Sequence, residues 1–191
     1  NNKQFFGVKD KFNVLEWCWR FKCLGIIDKD YLFKTESLRL ENKFKAKKFI
    51  VYFQSFTNTY APLSTLKALY EKALSFDDVI GLSIGTRTDC VTDEILDFLY
   101  EKSKEKEIWI EYGIQSFFQT TLDKINRADD VENMRYWIRR TKEKGLNVCG
   151  HLIYGLPDEN QEMMLETFKQ TIDLKVDSIK FHPLYVVKNT L

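Results

Sequence analysis

The chain has 191 residues, 44% of them hydrophobic and 15% aromatic, enough to bury a core within the range of one domain. Lys and Arg total 29 against 28 Asp and Glu, a formal charge of +1, so no net field draws in nucleic acid or an anionic membrane, and such a partner needs a local patch. No run of about 18 apolar residues is present and the start NNKQFFGVKDKF lacks the apolar region of a secretory signal, so a cytosolic chain without a membrane partner is expected.

In that compartment Cys18, Cys23, Cys90 and Cys149 are expected as free thiols or ligands rather than disulfides. The first 35 residues, which include FNVLEWCWRFKCLGIIDKDYLF, stand apart as an N-terminal segment. From residue 36 a second grammar begins, with SLRLENKFKAKKF reading as a helix that leads into a strand. KFIVYF is that strand, followed by the helix LSTLKALYEKAL. VIGLSI precedes DEILDFLYEKSKEK, for which Thr92 or Asp93 serves as N-cap. IWIEYG precedes a short helix and then VENMRYWIRRTKEKG, whose Gly145 suits a helix C-cap. NVCGHLIYG precedes NQEMMLETFKQTIDL, and SIKFHPLYVV is the last strand.

Strands at intervals of roughly thirty residues, each pair separated by a helix, are the pattern of parallel βαβ units. The strands are almost continuously apolar, which predicts cover on both faces. The fold is therefore α/β, an open sheet or a part-barrel. Five strands are too few to close an eight-stranded barrel, and because SIKFHPLYVV runs on nearly to Leu191, further elements are expected beyond it.

In either parallel architecture, sites lie beyond the C-terminal ends of the strands. Those ends carry Gln54, Ser55, Thr57, Asn58 and Tyr60, then Thr86, Arg87 and Asp89, then Glu111 and Gln115, with His151 inside the fourth strand and Lys180 and His182 in the fifth. Each has an ordinary explanation when taken singly: a helix cap, a core histidine, or, for Glu111, a buried ion pair with Arg87. Five polar strand ends in succession point instead to one shared mouth.

The motifs YFQSFTNTYAPL, GLSIGTRTDCVTDEILDFL, IEYGIQS with TLDKINR, HLIYGLP and SIKFHPLYVVKNT occur here in the order found in the radical S-adenosylmethionine (SAM) proteins. As a set they resemble the bacterial group related to the radical-SAM domain of the Elongator catalytic subunit, over residues 36–191. The resemblance implies a partial (β/α)6 TIM-type barrel, incomplete at both ends, that holds SAM and a [4Fe–4S] cluster. The cluster would reduce SAM to a 5′-deoxyadenosyl radical that abstracts hydrogen from a substrate.

Carried over motif by motif, Gln54 and the segment to Tyr60 resemble the part that meets the methionine amino group, and Arg87 with Asp89 the third-strand rim. Glu111, Gln115 and Arg127 would contact ribose, amino or carboxylate groups of SAM. HLIYGLP, around His151 and Gly155, would supply backbone to the adenine. The chemistry agrees: a guanidinium binds a carboxylate as a fork, carboxylate and amide oxygens accept from an ammonium or ribose hydroxyl, and glycine lets backbone approach a flat base.

The family's C-x3-C-x2-C cluster motif is absent, and EWCWRFKC offers only Cys18 and Cys23 as metal ligands. A disrupted reading frame ahead of residue 36, or a degenerate homologue that binds SAM or a partner without catalysis, would each account for this. The family tends to have Gly-His where Ala128 and Asp129 stand, and Gly where Asp158 stands. The kinship implies a tRNA substrate and an electron-donor protein as partners. FKAKKF and WIRRTKEKG are basic stretches that fit either phosphate contact or a solvated helix face. A different barrel enzyme, with Glu111 as general base and His151 or Lys180 as acid, is the third reading; no H-E-x-x-H, Walker or G-x-S-x-G motif is present.

Overall fold

A computed structural model describes residues 13–16, 38, 41–43, 45–54 and 56–188. Six parallel strands, β1 (Asn13–Glu16), β2 (Phe49–Phe53), β3 (Val79–Thr86), β4 (Glu107–Gln115), β5 (Asn147–Tyr154) and β6 (Ser178–Pro183), form one sheet in sequential order. Between them run α1 (Leu63–Leu74), α2 (Asp93–Ser103), α3 (Gln119–Lys124), α4 (Val131–Glu143) and α5 (Gln161–Asp173).

Sequential order in an all-parallel sheet decides the architecture. Every crossover moves one strand in the same direction with the same hand, so the helices collect on one face, and the sheet curls as a part-barrel rather than winding both ways. The core follows from this. Val51, Phe53, Leu82, Ile84, Ile110, Tyr112 and Leu152 pack against Leu66, Tyr70, Leu96, Leu99, Met134 and Ile138 of the helices.

Cover on both faces is found, but the second face is not apolar: Ser83, Glu111 and Cys149, on the side away from the helices, are buried. Residues alternate across a strand, and the set opposite the helices carries Tyr52, Ser83, Glu111, Cys149, His151, Lys180 and His182, which contact one another across the sheet. The strands read as apolar because the helix-facing set is uniformly so and the polar set is sparse. A second correction is β1, which pairs in parallel with β2 and makes six strands among the described residues rather than five; a four-residue NVLE run is too short to show a period of two. The last strand ends at Pro183, short of LYVV, where Leu184 to Val187 are exposed.

Local signals set the helix ends. The Thr92 hydroxyl accepts from the Ile95 N–H at 3.4 Å, and the Asp130 and Asn160 side chains cap α4 and α5 in the same way. Gly145, at φ +81°, follows the last helical turn of α4, with its N–H and that of Leu146 bonded to the carbonyls of Lys142 and Thr141. Cys18, Cys23 and Ser55 lie outside the described residues. Among the described residues no helix is long and apolar enough to cross a membrane.

Candidate functional site at the sheet rim

Glu111 is 1% exposed and stands in the middle of the polar face. One carboxylate oxygen, Oε2, accepts from the Tyr52 hydroxyl at 2.8 Å, from His151 Nε2 at 2.5 Å and from Lys180 Nζ at 2.6 Å. The other, Oε1, accepts from the Ser83 hydroxyl and from Lys180 Nζ at 2.7 Å. Strands β2, β3, β5 and β6 thus each send a donor to the carboxylate of β4. Burial alone would raise that carboxyl, but the hydrogen bond from His151 and the charge of Lys180 outweigh it and hold the group down at about 2.

An ionised carboxylate only accepts, so His151 carries its proton on Nε2, and its Nδ1, when the ring is neutral, accepts from His182 Nε2 at 3.1 Å. The two imidazoles stack with centroids 5.0 Å apart. Lys180 also lies over the Tyr52 ring, 4.6 Å from its centroid. The Cys149 thiol, on β5 opposite Glu111, is pushed up to about 12 by burial and by the adjacent carboxylate.

Towards the C-terminal rim, β4 is interrupted by a bulge between Gly113 and Gln115, and Gln115 takes φ +69°. Arg127 arrives at the same place through the end of α3. Asn126, at φ +53°, forms the left-handed cap, and the N–H groups of Asn126 and Arg127 bond to the carbonyls of Asp123 and Leu122. That turn sends the guanidinium back over β4, where Nη2 donates to the Gly113 carbonyl at 2.7 Å.

Both side chains rest on Gly113. A Cβ there would lie 2.9 Å from Gln115 Nε2 and 3.0 Å from Arg127 Nη2. The glycine is the seat that lets an amide and a guanidinium lie side by side. Gln115 Oε1 and Arg127 Nε are nevertheless buried with no hydrogen-bond partner, the only such side-chain atoms among the described residues. A buried acceptor and a buried donor left open at one place are costly unless a ligand completes them. Burial, and then the charge of Arg87, lower the Arg127 pKa.

Arg87 closes the flank. Its Nε donates to Asp89 at 2.7 Å and its Nη2 to the Ala128 carbonyl at 2.7 Å, so the loop after β3 is tied to the loop before α4. Asp129 reinforces the tie by accepting from the Thr88 hydroxyl and from Asn133 Nδ2. The loop after β2 is held from below: Asn58 Nδ2 donates to the Phe53 and Gly85 carbonyls at 2.9 and 2.8 Å, and Thr59 donates to the Cys90 carbonyl at 2.6 Å.

The radical SAM superfamily profile matches residues 29–171. The protein YtqA of Bacillus subtilis is 42% identical over 152 residues, which cover 80% of this chain and 47% of YtqA. The chain belongs to the radical SAM superfamily. The tRNA uridine(34) acetyltransferase of Methanocaldococcus jannaschii is 31% identical over 115 residues, 58% of this chain and 20% of that protein. The structure of Elp3 from Methanocaldococcus infernus with an N-terminal deletion matches at a TM-score of 0.74 and 18% identity, over 94% of this chain and 46% of the Elp3 chain. The fold is that of a partial radical SAM barrel, as the ordered motifs imply. The chain spans about half the length of the YtqA relative, 47%.

Within this radical SAM barrel the structure brings Glu111 and His151 into direct contact and sets Gln115 beside Arg127. Arg87 joins Asp89 and Ala128 rather than Glu111, so the ion pair weighed for those two is not formed. Gln54 is half-buried just past β2, with its carbonyl oxygen 3.5 Å from where a Cβ of Gly85 would stand. Tyr60 turns outward and is 81% exposed. Gly155, at φ +86°, ends β5 beside Leu184.

Tyr52 and Ser83 are site residues that the sequence reading missed, His182 was seen only as a strand-end polar group, and Lys180 as that and as a candidate acid beside Glu111. The usable signal was the period of two: Cys149-x-His151 and Lys180-x-His182 place four chemically able side chains on one face of adjacent strands.

Proposed function

We propose that the chain binds SAM at the C-terminal rim of the sheet and uses it in radical chemistry. The observation that carries this reading is the pair of unsatisfied buried atoms, Gln115 Oε1 and Arg127 Nε, over Gly113. An acceptor beside a donor suits a ligand end that offers both, as the ammonium and carboxylate of the methionine half do, or a ribose hydroxyl. Arg87 adds a second guanidinium to that flank. Gln54, the segment to Tyr60, His151 and the backbone at Gly155 complete the rim as proposed contacts.

Glu111 acts in this reading through its partners. Both of its oxygens are engaged, so it holds Lys180, His151 and Tyr52 in place beneath the ligand. When bound, SAM with a reduced [4Fe–4S] cluster supplies a 5′-deoxyadenosyl radical that takes a hydrogen atom from the substrate. What the described residues do is bind, orient and exclude water. Cys18 and Cys23 are the proposed cluster ligands from this chain. A tRNA substrate is supported by the name of the M. jannaschii relative, and an electron-donor protein would supply the reducing electron.

The test is anaerobic reconstitution with iron and sulfide, followed by SAM and dithionite. Formation of 5′-deoxyadenosine supports the enzyme. SAM retention without iron uptake or 5′-deoxyadenosine supports the second reading, a non-catalytic SAM-binding domain, which the absent C-x3-C-x2-C motif favours.

A further inference from the structure

Cys149 and His151 alternate along β5 and share the polar face, and Glu111 sits opposite Cys149 in the β4–β5 ladder. The Cys149 sulfur, an imidazole nitrogen of His151 and a carboxylate oxygen of Glu111 lie within 4.8 Å of one another, and Glu111 and Cys149 are both buried. Among the described residues this is the one group of three or more His, Cys, Asp or Glu with that spacing. One sulfur, one nitrogen and one oxygen donor form a set suited to zinc in four-coordinate geometry, with one position left for an outside ligand.

We propose that Cys149 Sγ, His151 Nε2 and Glu111 Oε2 form a binding site for one divalent transition metal ion, zinc by its donor set, on the polar face of the sheet. The surroundings supply the outer support that such sites need. His182 Nε2 stands 3.1 Å from His151 Nδ1, so a metal on Nε2 moves the proton to Nδ1, which then donates to His182. Both rings stay neutral and exchange tautomers. Oε2 gives up its hydrogen bonds from Tyr52, His151 and Lys180 to take the ion, while Ser83 and Lys180 remain on Oε1.

Binding breaks the Cys149 S–H bond, releases its proton to solvent and forms the sulfur–metal bond, with no change of oxidation state. Thiolate and carboxylate balance the ion, and the Lys180 ammonium is the charge left over. The open position therefore suits hydroxide or an anionic group of a substrate. The site needs neither SAM nor a cluster, and it stands or falls separately from the function proposed above.

The test titrates cobalt(II) chloride into the chelator-treated chain carrying Cys18→Ser, Cys23→Ser and Cys90→Ser, in which Cys149 is the remaining one of the chain's 4 cysteines. One equivalent should bind, with a thiolate-to-cobalt charge-transfer band and the strong visible bands of four-coordinate cobalt, and zinc should bleach both. Adding Cys149→Ser should abolish the charge-transfer band, and His182→Gln should weaken binding by about tenfold or more. Failure to bind one equivalent, or a band that survives Cys149→Ser, overturns the proposal. Should the triple variant fail to fold, zinc-edge X-ray absorption of the unsubstituted chain decides: one sulfur with nitrogen and oxygen neighbours is expected, and no sulfur or several overturns it.

Discussion

Lys180 Nζ lies 2.6 and 2.7 Å from the two carboxylate oxygens of Glu111, joining β6 to β4 across the intervening strand β5. The Glu111 side chain is 0% exposed and that of Lys180 17%. Removing one partner of a buried pair leaves the other uncompensated, at a cost of about 3 kcal/mol. Glu111→Gln should therefore lower the urea midpoint markedly, and adding Lys180→Met should restore part of the loss. Two single variants whose losses simply add in the double would show that the pair is not coupled.

The same carboxylate makes stability depend on pH in metal-free protein. Its folded pKa, about 2, lies below the ordinary 4.5, so its contribution is fully present above about pH 4.5 and is lost as pH falls through the folded value. The contribution is about 3 kcal/mol. Urea unfolding of the unsubstituted chain and of Glu111→Gln, run from pH 6 down to the acid limit, should show the gap between them closing below about pH 4.5. A gap that stays constant to pH 3 would mean that the carboxylate is not selectively stabilised in the fold.

Gly113→Ala isolates the seat of the proposed SAM contact. The new methyl group would meet Gln115 Nε2 and Arg127 Nη2 at 2.9 and 3.0 Å, and both are ends of flexible side chains that can move aside. Stability should change by no more than about 1 kcal/mol, while SAM affinity falls by about tenfold or more. Calorimetry of binding alongside a denaturant curve separates the two effects.

Asp158 occupies φ +66°, a conformation that favours glycine, and its carboxylate pairs with exposed Lys124. Asp158→Gly relieves about half a kcal/mol or more of left-handed strain and gives up a surface ion pair of similar worth. The two should nearly cancel at low salt. At high salt, where the pair is screened, the glycine variant should be the more stable; the reverse trend in unfolding midpoints would show that Asp158 does more than pair with Lys124.

The strands and helices were plain in the sequence, because FIVYF and VIGLSI are short, nearly continuous apolar runs and LSTLKALYEKAL carries a helical period. The polar half was hidden. Tyr52 sits in a run of apolar residues, and Ser83 reads as a tolerated small residue in GLSIG. Only the register, which sets Tyr52 beside Ser83 and Glu111 beside Cys149, shows that they share a face. Glu111 and Gln115 were legible as strand-end groups. The reason they differ in role was not, since it lies in the bulge that separates a saturated carboxylate from an unsatisfied amide.

Long-range partners were the least legible. Arg140, Lys142 and Lys144 of the basic stretch look available to phosphate in sequence, yet they pair with Asp93, Asp177 and Asp97 from α2 and the loop before β6. Asp129, expected beside the pocket, turns onto Thr88 and Asn133. Charge spacing along one helix carries no information about which acid the fold brings opposite.

The measurement that bears most directly on the proposed function is calorimetric titration of SAM into the unsubstituted chain, Gln115→Ala and Arg127→Ala. The unsubstituted chain should bind one equivalent, and each variant should lose about tenfold or more in affinity; Gln115→Ala should do so without loss of stability, since Gln115 Oε1 is unsatisfied, and Arg127→Ala with a loss of about 1 kcal/mol from its bond to the Gly113 carbonyl. Equal affinity in all three, or no binding to the unsubstituted chain, would contradict the assignment of this rim as the SAM site.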